Sequence, residues 1–209
     1  MKKIIALIMM GLINYGCKMP RSNAEIEADK IKISMDSIFN KTNSDDIIKI
    51  DSNKLKKLKL NFRTKKDEFS TDKVVFYYPK SAPSYTNRNG LYVYFGTKDD
   101  KAYNLRLTFQ YYADDWLFIK SIQFLIDGKV YGYIPEEIKR DNEGGNIWEW
   151  FDESVDSSDR DLIIALSTAK NAKMKIIGDK YYKEKIVTSS QIRAFKETIE
   201  LHKMLGGFL

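Results

Sequence analysis

The chain reads as an α+β protein: a predominantly antiparallel β-sheet of meander or sandwich-like form, with one helix inserted late, one at the C-terminus, and an N-terminal helical tether. Three observations predict this. The 209 residues include 13 Tyr, 11 Phe and 3 Trp, and aromatic side chains favour the pleated, half-buried surface of a sheet. From Phe69 the apolar residues alternate with polar ones, a period of two instead of the helical three to four. Helix start signals return only near the end, ahead of the stripes at Leu162-Ile163-Leu166 and Ile192-Phe195-Ile199.

The chain opens on Met1-Lys2-Lys3, continues through apolar Ile4 to Ile13 and reaches Asn14-Tyr15-Gly16-Cys17. A basic start and about ten apolar residues form the layout of a secretory signal peptide, and the run is half of the roughly 20 residues a membrane-spanning helix needs. Cys17 is the only cysteine. Its place behind a small residue resembles the lipobox of bacterial lipoproteins, where cleavage before the cysteine is coupled to acylation of its sulfur. Asn14 stands where that pattern usually has Leu, Val or Ile, and Tyr15 is bulkier than usual. The expected organisation is a signal peptide over 1–16, a tether over 17–66 lipidated at Cys17, and a sheet domain over 67–209. Two or three acyl chains at about 0.8 kcal/mol per buried CH₂ give stable attachment to a membrane. Lys18 stands where an Asp favours inner-membrane retention in many Gram-negative cells, which, in a cell with two membranes, points to the outer membrane or cell surface. With a single cysteine the domain has no internal disulfide, so its stability rests on its core.

Within the tether, Ser22 and Glu25 are spaced as a capping box, and Ala24, Ala28, Ile31, Met35 and Ile38 form one stripe, predicting a helix over about 23–40. Lys41 to Asp46 reads as a hinge, and Asp51 to Phe62 as a second short helix with Leu55, Leu58 and Phe62 on one side. The lysines between Lys54 and Lys66 read as a solvated helical face, with attraction to anionic lipid headgroups as the alternative. Strands follow over Val74–Tyr78, stopped by Pro79, and over Leu91–Phe95, behind a polar loop with the turn-forming Asn89-Gly90. A turn through Asp99-Asp100 precedes Leu105, Leu107, Phe109 and Tyr111, which alternate with Arg106, Thr108 and Gln110, one face buried and the other wet. Asp114-Asp115 interrupt this pattern and Trp116–Ile126 resumes it. Asp127-Gly128 is a strong hairpin signal, with Lys129–Ile134 returning. A charged loop over Glu136–Gly145 leads to a strand at Asn146–Phe151 and a helix at Asp159–Ala169. A hairpin pairs Met174–Ile177 with Tyr181–Val187, and Thr188 with Gln191 caps the last helix, which Gly206-Gly207 ends. About seven strands are expected.

Several stretches together resemble a known family: Lys65-Lys66-Asp67-Glu68-Phe69, Tyr85-Thr86-Asn87-Arg88-Asn89-Gly90, Arg140-Asp141-Asn142 with Trp148-Glu149-Trp150, Lys180-Tyr181-Tyr182, and above all Gln110-Tyr111-Tyr112-Ala113-Asp114-Asp115-Trp116-Leu117-Phe118-Ile119. The family is an uncharacterised domain near the C-terminus of exported and lipid-anchored bacterial proteins, often behind a variable tether. The resemblance spans about 65–207 and implies an extracytoplasmic setting. It assigns no activity and no site residues.

The inventory of chemistry is thin. His202, the only histidine, follows Ile199 on the apolar stripe of the last helix and reads as a packing residue. Zinc needs several Cys or His ligands, which the chain lacks. Asp152, Glu153, Asp156, Asp159 and Asp161 offer calcium-type oxygens, but without the glycine and terminal glutamate of an EF-hand loop; complementing the helix that starts at Asp159 is the simpler role. No cofactor is expected. Asp114, Asp115 and Glu149 beside Trp116, Trp148 and Trp150 supply the residue types of a carboxylate-dependent polysaccharide hydrolase. Asp114 and Asp115, being adjacent, point to opposite faces of a strand and read as turn residues. Trp148 and Trp150 share one face: core if inward, a platform for sugar rings or a protein partner if outward, with core favoured. The net charge of +6 is mild and scattered, without a basic stripe for nucleic acid.

The leading expectation is therefore a non-enzymatic envelope lipoprotein binding an envelope protein or a glycan, with Trp148, Trp150, Arg140, Asp114 and Asp115 as candidate ligand residues. A hydrolase of envelope polysaccharide and a structural or inhibitory module are the alternatives.

Overall fold

The computed structural model describes residues 51–66, 68–69 and 74–209. The expected signal peptide, Cys17, the helix over 23–40 and the hinge after it lie outside the described residues. Among those described, three helices and ten strands form two antiparallel sheets, an α+β architecture.

Helix α1 (Ser52–Lys59) starts where Asp51 accepts the amides of Asn53 and Lys54 at 3.0 and 3.1 Å, satisfying two of the orphan donors at a helix start. It buries Leu58 and packs Leu55 against the core. Phe62, expected to extend this helix, instead opens strand β1 (Phe62–Lys66), because a turn at Leu60-Asn61 sends the chain back antiparallel to β2 (Val75–Pro79). Buried Phe62 faces the core.

Strand β3 (Gly90–Lys98) turns into β4 (Lys101–Ala113) through Asp99 and Asp100, both at positive φ. The chain then leaves the sheet. Residues 116–120, expected to continue a strand, are irregular, and β5 (Ser121–Ile126) belongs to a second sheet. Asp127 and Gly128, at φ 46° and 88°, join β5 to β6 (Lys129–Tyr133) in the left-handed geometry such a hairpin requires. The expected charged loop over Glu136–Gly145 contains β7 (Lys139–Glu143), a wholly exposed edge strand, which turns at Gly144-Gly145 into β8 (Asn146–Ser154). Helix α2 (Arg160–Thr168), strands β9 (Ala172–Ile177) and β10 (Tyr182–Val187) and helix α3 (Ser189–Met204) follow. Thr188 and Gln191 form the predicted capping box.

The six-stranded sheet has the order β1-β2-β3-β4-β8-β7 and the four-stranded sheet β10-β9-β5-β6. The meander holds for the first four strands, after which β5 and β6 cross to the second sheet. One apolar core joins Val93, Phe95, Phe109 and Phe151 of the larger sheet to Ile122, Phe124 and Ile176 of the smaller and to Phe195 and Leu201 of α3. Stacked rings carry it across: Phe109 lies 5.8 Å from Phe151, and Phe151 lies 5.1 Å from Tyr133 of β6. His202 of α3 is 2 % exposed, edge-on to Phe95 at 5.2 Å. Near neutral pH it is uncharged, burial pushing its pKa down to about 4 with Lys203 adding to the effect.

Candidate functional site

Period-two alternation gives the larger sheet two faces of different character. Toward the core point Leu91, Val93 and Phe95 of β3, Leu107, Phe109 and Tyr111 of β4, and Ile147 and Phe151 of β8. Away from it point Tyr92 and Tyr94, then Arg106, Thr108 and Gln110, then Trp148, Trp150 and Asp152. The register aligns these in rows across the strands: Tyr92 with Thr108 and Asp152, and Gly90 with Gln110, Trp150 and Lys139.

The outer face carries its own small aromatic cluster. Tyr92 and Tyr94 are buried with Ala82 and pack with Phe76 and Tyr78 of β2, and Tyr78 stacks on Tyr94 at 4.4 Å. Arg63 of β1 folds over Tyr78, its guanidinium 5.4 Å from the ring centre, and donates to the carbonyls of Ala82 and Pro83 at 2.5 and 2.8 Å. The segment over 80–89 is thereby held down beside the sheet. Asn89 locks its far end onto β4, donating to the Tyr112 carbonyl and accepting the Tyr112 amide.

Between this segment and the sheet lies a hollow of about 280 Å³ lined by Arg63, Tyr78, Pro83, Tyr85, Tyr92, Thr108, Gln110, Trp150 and Asp152. Arg63 and Lys65 bring positive charge to its lining and Asp152 negative charge. Asp152 accepts Arg106 Nε at 2.6 Å on one oxygen and the Tyr94 hydroxyl at 2.7 Å on the other. Burial holds the Tyr92 phenol protonated, pushed up to about 12. The buried polar groups are different. Gln110 is 5 % exposed and its Oε1 has no hydrogen-bond partner, nor has Thr108 Oγ1 one of normal geometry, although it adjoins the Tyr92 hydroxyl. Buried polar atoms are rarely left so. Gly90 is required here, because a Cβ would stand 2.8 Å from Gln110 Oε1 and 3.0 Å from the Pro83 ring.

No family model, curated protein or solved structure matches this chain. The geometry alone therefore distributes the residues singled out from the sequence. Trp150 lines the hollow, and Trp148, two residues before it, is buried opposite Tyr112 and Asp141 on the same face. The tryptophans thus lie on the side away from the main core, contrary to the favoured core placement; the inward slots of β8 belong to Ile147, Glu149 and Phe151.

Arg140 is not brought to the tryptophans. It pairs with Glu149, which is 0 % exposed, through a 3.0 Å bond from Nε. The same carboxylate accepts the amides of Leu117, Phe118 and Ile119 at 2.8, 2.8 and 2.9 Å. Arg140 also lies 5.8 Å from the Phe118 ring, which stacks on Trp116. Phe118 sits at φ 53°, and three amides aimed at one carboxylate explain how that turn is held. Glu149 therefore staples the irregular crossover to the sheet. Asp114 and Asp115 lie in the exposed bend after β4, where Asp115 accepts the Trp116 amide at 2.8 Å.

A larger hollow of about 760 Å³ is lined by Arg106, Tyr133, Glu136, Glu137, Asp152, Glu153, Asp156 and Asp159. Several of its acids already serve the fold. Glu153 accepts the Tyr133 hydroxyl at 2.8 Å and the Glu137 amide at 3.1 Å, and Asp156 accepts both the hydroxyl and the amide of Ser158 at 2.7 Å. Asp159, expected to serve the helix start, makes no side-chain cap to α2 and instead accepts the Asp156 amide at 3.2 Å. Among the described residues no group of three or more acidic, His or Cys side chains converges in a way that would hold a metal ion.

Sequence reasoning missed Thr108, Gln110, Tyr92 and the 80–89 segment as site residues. The available signal was the second phase of the alternation, Tyr92 with Tyr94 and Thr108 with Gln110, which is too aromatic and too uncharged for a fully wet face.

Proposed function

We propose that this chain is an exported, lipid-anchored module that binds a glycan of the bacterial envelope in the outer-face hollow, without catalysing a reaction on it. One observation carries the reading: the aromatic side chains of Tyr78, Tyr92 and Trp150 line one hollow together with polar Thr108 and Gln110. Pockets for small ligands combine apolar walls with a few convergent polar groups, and a sugar ring presents that pattern, with C–H faces for aromatic rings and hydroxyl edges for polar partners. The non-catalytic part rests on Glu149, whose oxygens are committed to the fold, and on the burial of His202. The signal-like leader and the position of Cys17 support export and anchoring. Among the described residues no helix is long and apolar enough to cross a membrane.

The test is co-sedimentation of the full-length chain, in detergent, with insoluble bacterial wall polysaccharide. Wild type is expected to sediment and Trp150→Ala to stay in solution with an unchanged melting temperature. Equal retention of both proteins counts against the site, and no retention of either counts against the glycan. The anchoring arm is read by phase partitioning: wild type enters the detergent-rich phase, and Cys17→Ser remains aqueous.

A further inference from the structure

We infer that the hollow takes an acidic oligosaccharide, whose negative substituent is received by the Lys65 ammonium; this rests on the glycan reading and narrows it. The charged residues of the lining are Arg63, Lys65 and Asp152. Asp152 is already matched, accepting Arg106 Nε on one oxygen and the Tyr94 hydroxyl on the other. Arg63 donates to the carbonyls of Ala82 and Pro83, neutral acceptors that leave its charge unbalanced. Among the described residues no carboxylate pairs with Arg63 or with Lys65. The lining therefore carries an excess of positive charge, and exposed Lys65 is its reachable end. Lys65 also lies near the end of the stretch Ser52–Lys66, in which seven residues are basic and none acidic, so neighbouring charges reinforce the field there.

Arg63 and Lys65 share the outer phase of β1, opposite Tyr78 and Phe76 of β2. Trp150 stands at the far side on β8, four steps away in the order β1-β2-β3-β4-β8, or about 19 Å at the usual strand spacing. Tyr78 and Tyr92 line the space between, as does Tyr85 of the 80–89 segment, which is 73 % exposed. A single sugar ring cannot meet both ends. A short oligosaccharide can, with a ring against Trp150 and an acid at Lys65, and the side chains asked to meet it are exposed or half-buried. An ammonium is a point charge that takes a carboxylate or a phosphate, so the acid is a uronic carboxylate or a sugar phosphate. Charge matching of this kind sets specificity more than raw affinity, and its signature is discrimination between an acid and its neutral form.

The experiment is titration calorimetry of the full-length chain with two pairs of trisaccharides, trigalacturonate against its methyl ester and maltotriose 6-phosphate against maltotriose. Within each pair the linkage is the same and the charge is removed. In at least one pair the acid is expected to bind roughly tenfold more tightly than its neutral form, and that pair tells carboxylate from phosphate. Added salt should narrow the gap. Lys65→Met should bring the two forms to similar affinities with an unchanged melting temperature, Lys65→Arg should keep the preference, and Trp150→Ala should lose both forms. Equal affinities within both pairs, binding of neither, or a preference undiminished in Lys65→Met overturn the inference and leave the glycan reading standing. Binding of triglutamate as tight as that of the favoured acid overturns it in favour of an acidic peptide. Failure of wild type to sediment with wall polysaccharide overturns the glycan reading itself.

Discussion

The two faces of the six-stranded sheet solve the problem of buried polar groups in opposite ways. On the core side Glu149, fully buried, is surrounded by three backbone amides and Arg140. On the outer side Gln110, nearly as buried, leaves its oxygen without a partner. A charge is the harder group to bury, yet it is the neutral amide that goes unsatisfied. The contrast separates a face whose buried polar group is fully satisfied within the fold from a face that leaves one unsatisfied.

Glu149→Ala is the sharpest way to break this contrast. Removing the carboxylate strands the amides of Leu117, Phe118 and Ile119, at about 1–3 kcal/mol for each donor left buried and unsatisfied, while Arg140, whose side chain is 37 % exposed, keeps water as a partner. Urea denaturation should show that loss, and a change below about 1 kcal/mol would mean that the crossover at 117–119 holds itself.

Next in size is the pH dependence carried by His202. Its folded pKa of about 4 lies below the unfolded value, which is about 6.5, so the unfolded chain takes up the proton first. The stabilisation is complete above pH 6.5 and is lost as pH falls toward 4, by about 2–3 kcal/mol. Denaturation midpoints at several pH values should slope accordingly, and His202→Gln should flatten that part of the slope.

Smaller still is the Arg106–Asp152 pair on the outer face, whose side chains are about a quarter and a third exposed. Arg106→Met is expected to cost about 1 kcal/mol or less, measured by the same denaturation. The smallest effect belongs to Gln110→Leu. Replacing an unpartnered buried polar group by an apolar one of similar size is neutral or slightly stabilising, so its melting temperature should hold or rise. A large loss there would make the outer face structural after all.

Much of the fold is legible in the residues because the signals are local. The turn at Asp127-Gly128, the capping box at Thr188 and Gln191 and the alternation from Leu105 to Tyr111 each depend on neighbours a few positions apart. Strand β7 was hidden because it is an exposed edge, with no buried side to impose alternation on Lys139–Glu143. Phe62–Lys66 was hidden because a turn at Leu60-Asn61 resets the phase of the apolar residues. The face of Trp148 and Trp150 was misread for a related reason: Glu149, a carboxylate on the core side, makes the tryptophans look like the inward set. Its partners at Leu117, Phe118 and Ile119 lie some thirty residues away, and no spacing announces them. The hollow is assembled from β1, β2, β3, β4, β8 and the 80–89 segment, so only the sheet register brings its residues together.

The most direct test of an outer face built for a ligand is nitrogen–proton correlation NMR of the full-length chain during titration with the tighter-binding acidic trisaccharide. The Gln110 side-chain amide and the Trp150 indole N–H should shift progressively and together, while the amides of Leu117, Phe118 and Ile119 stay in place. Shifts confined to other surfaces, or none at saturating sugar, would contradict the account.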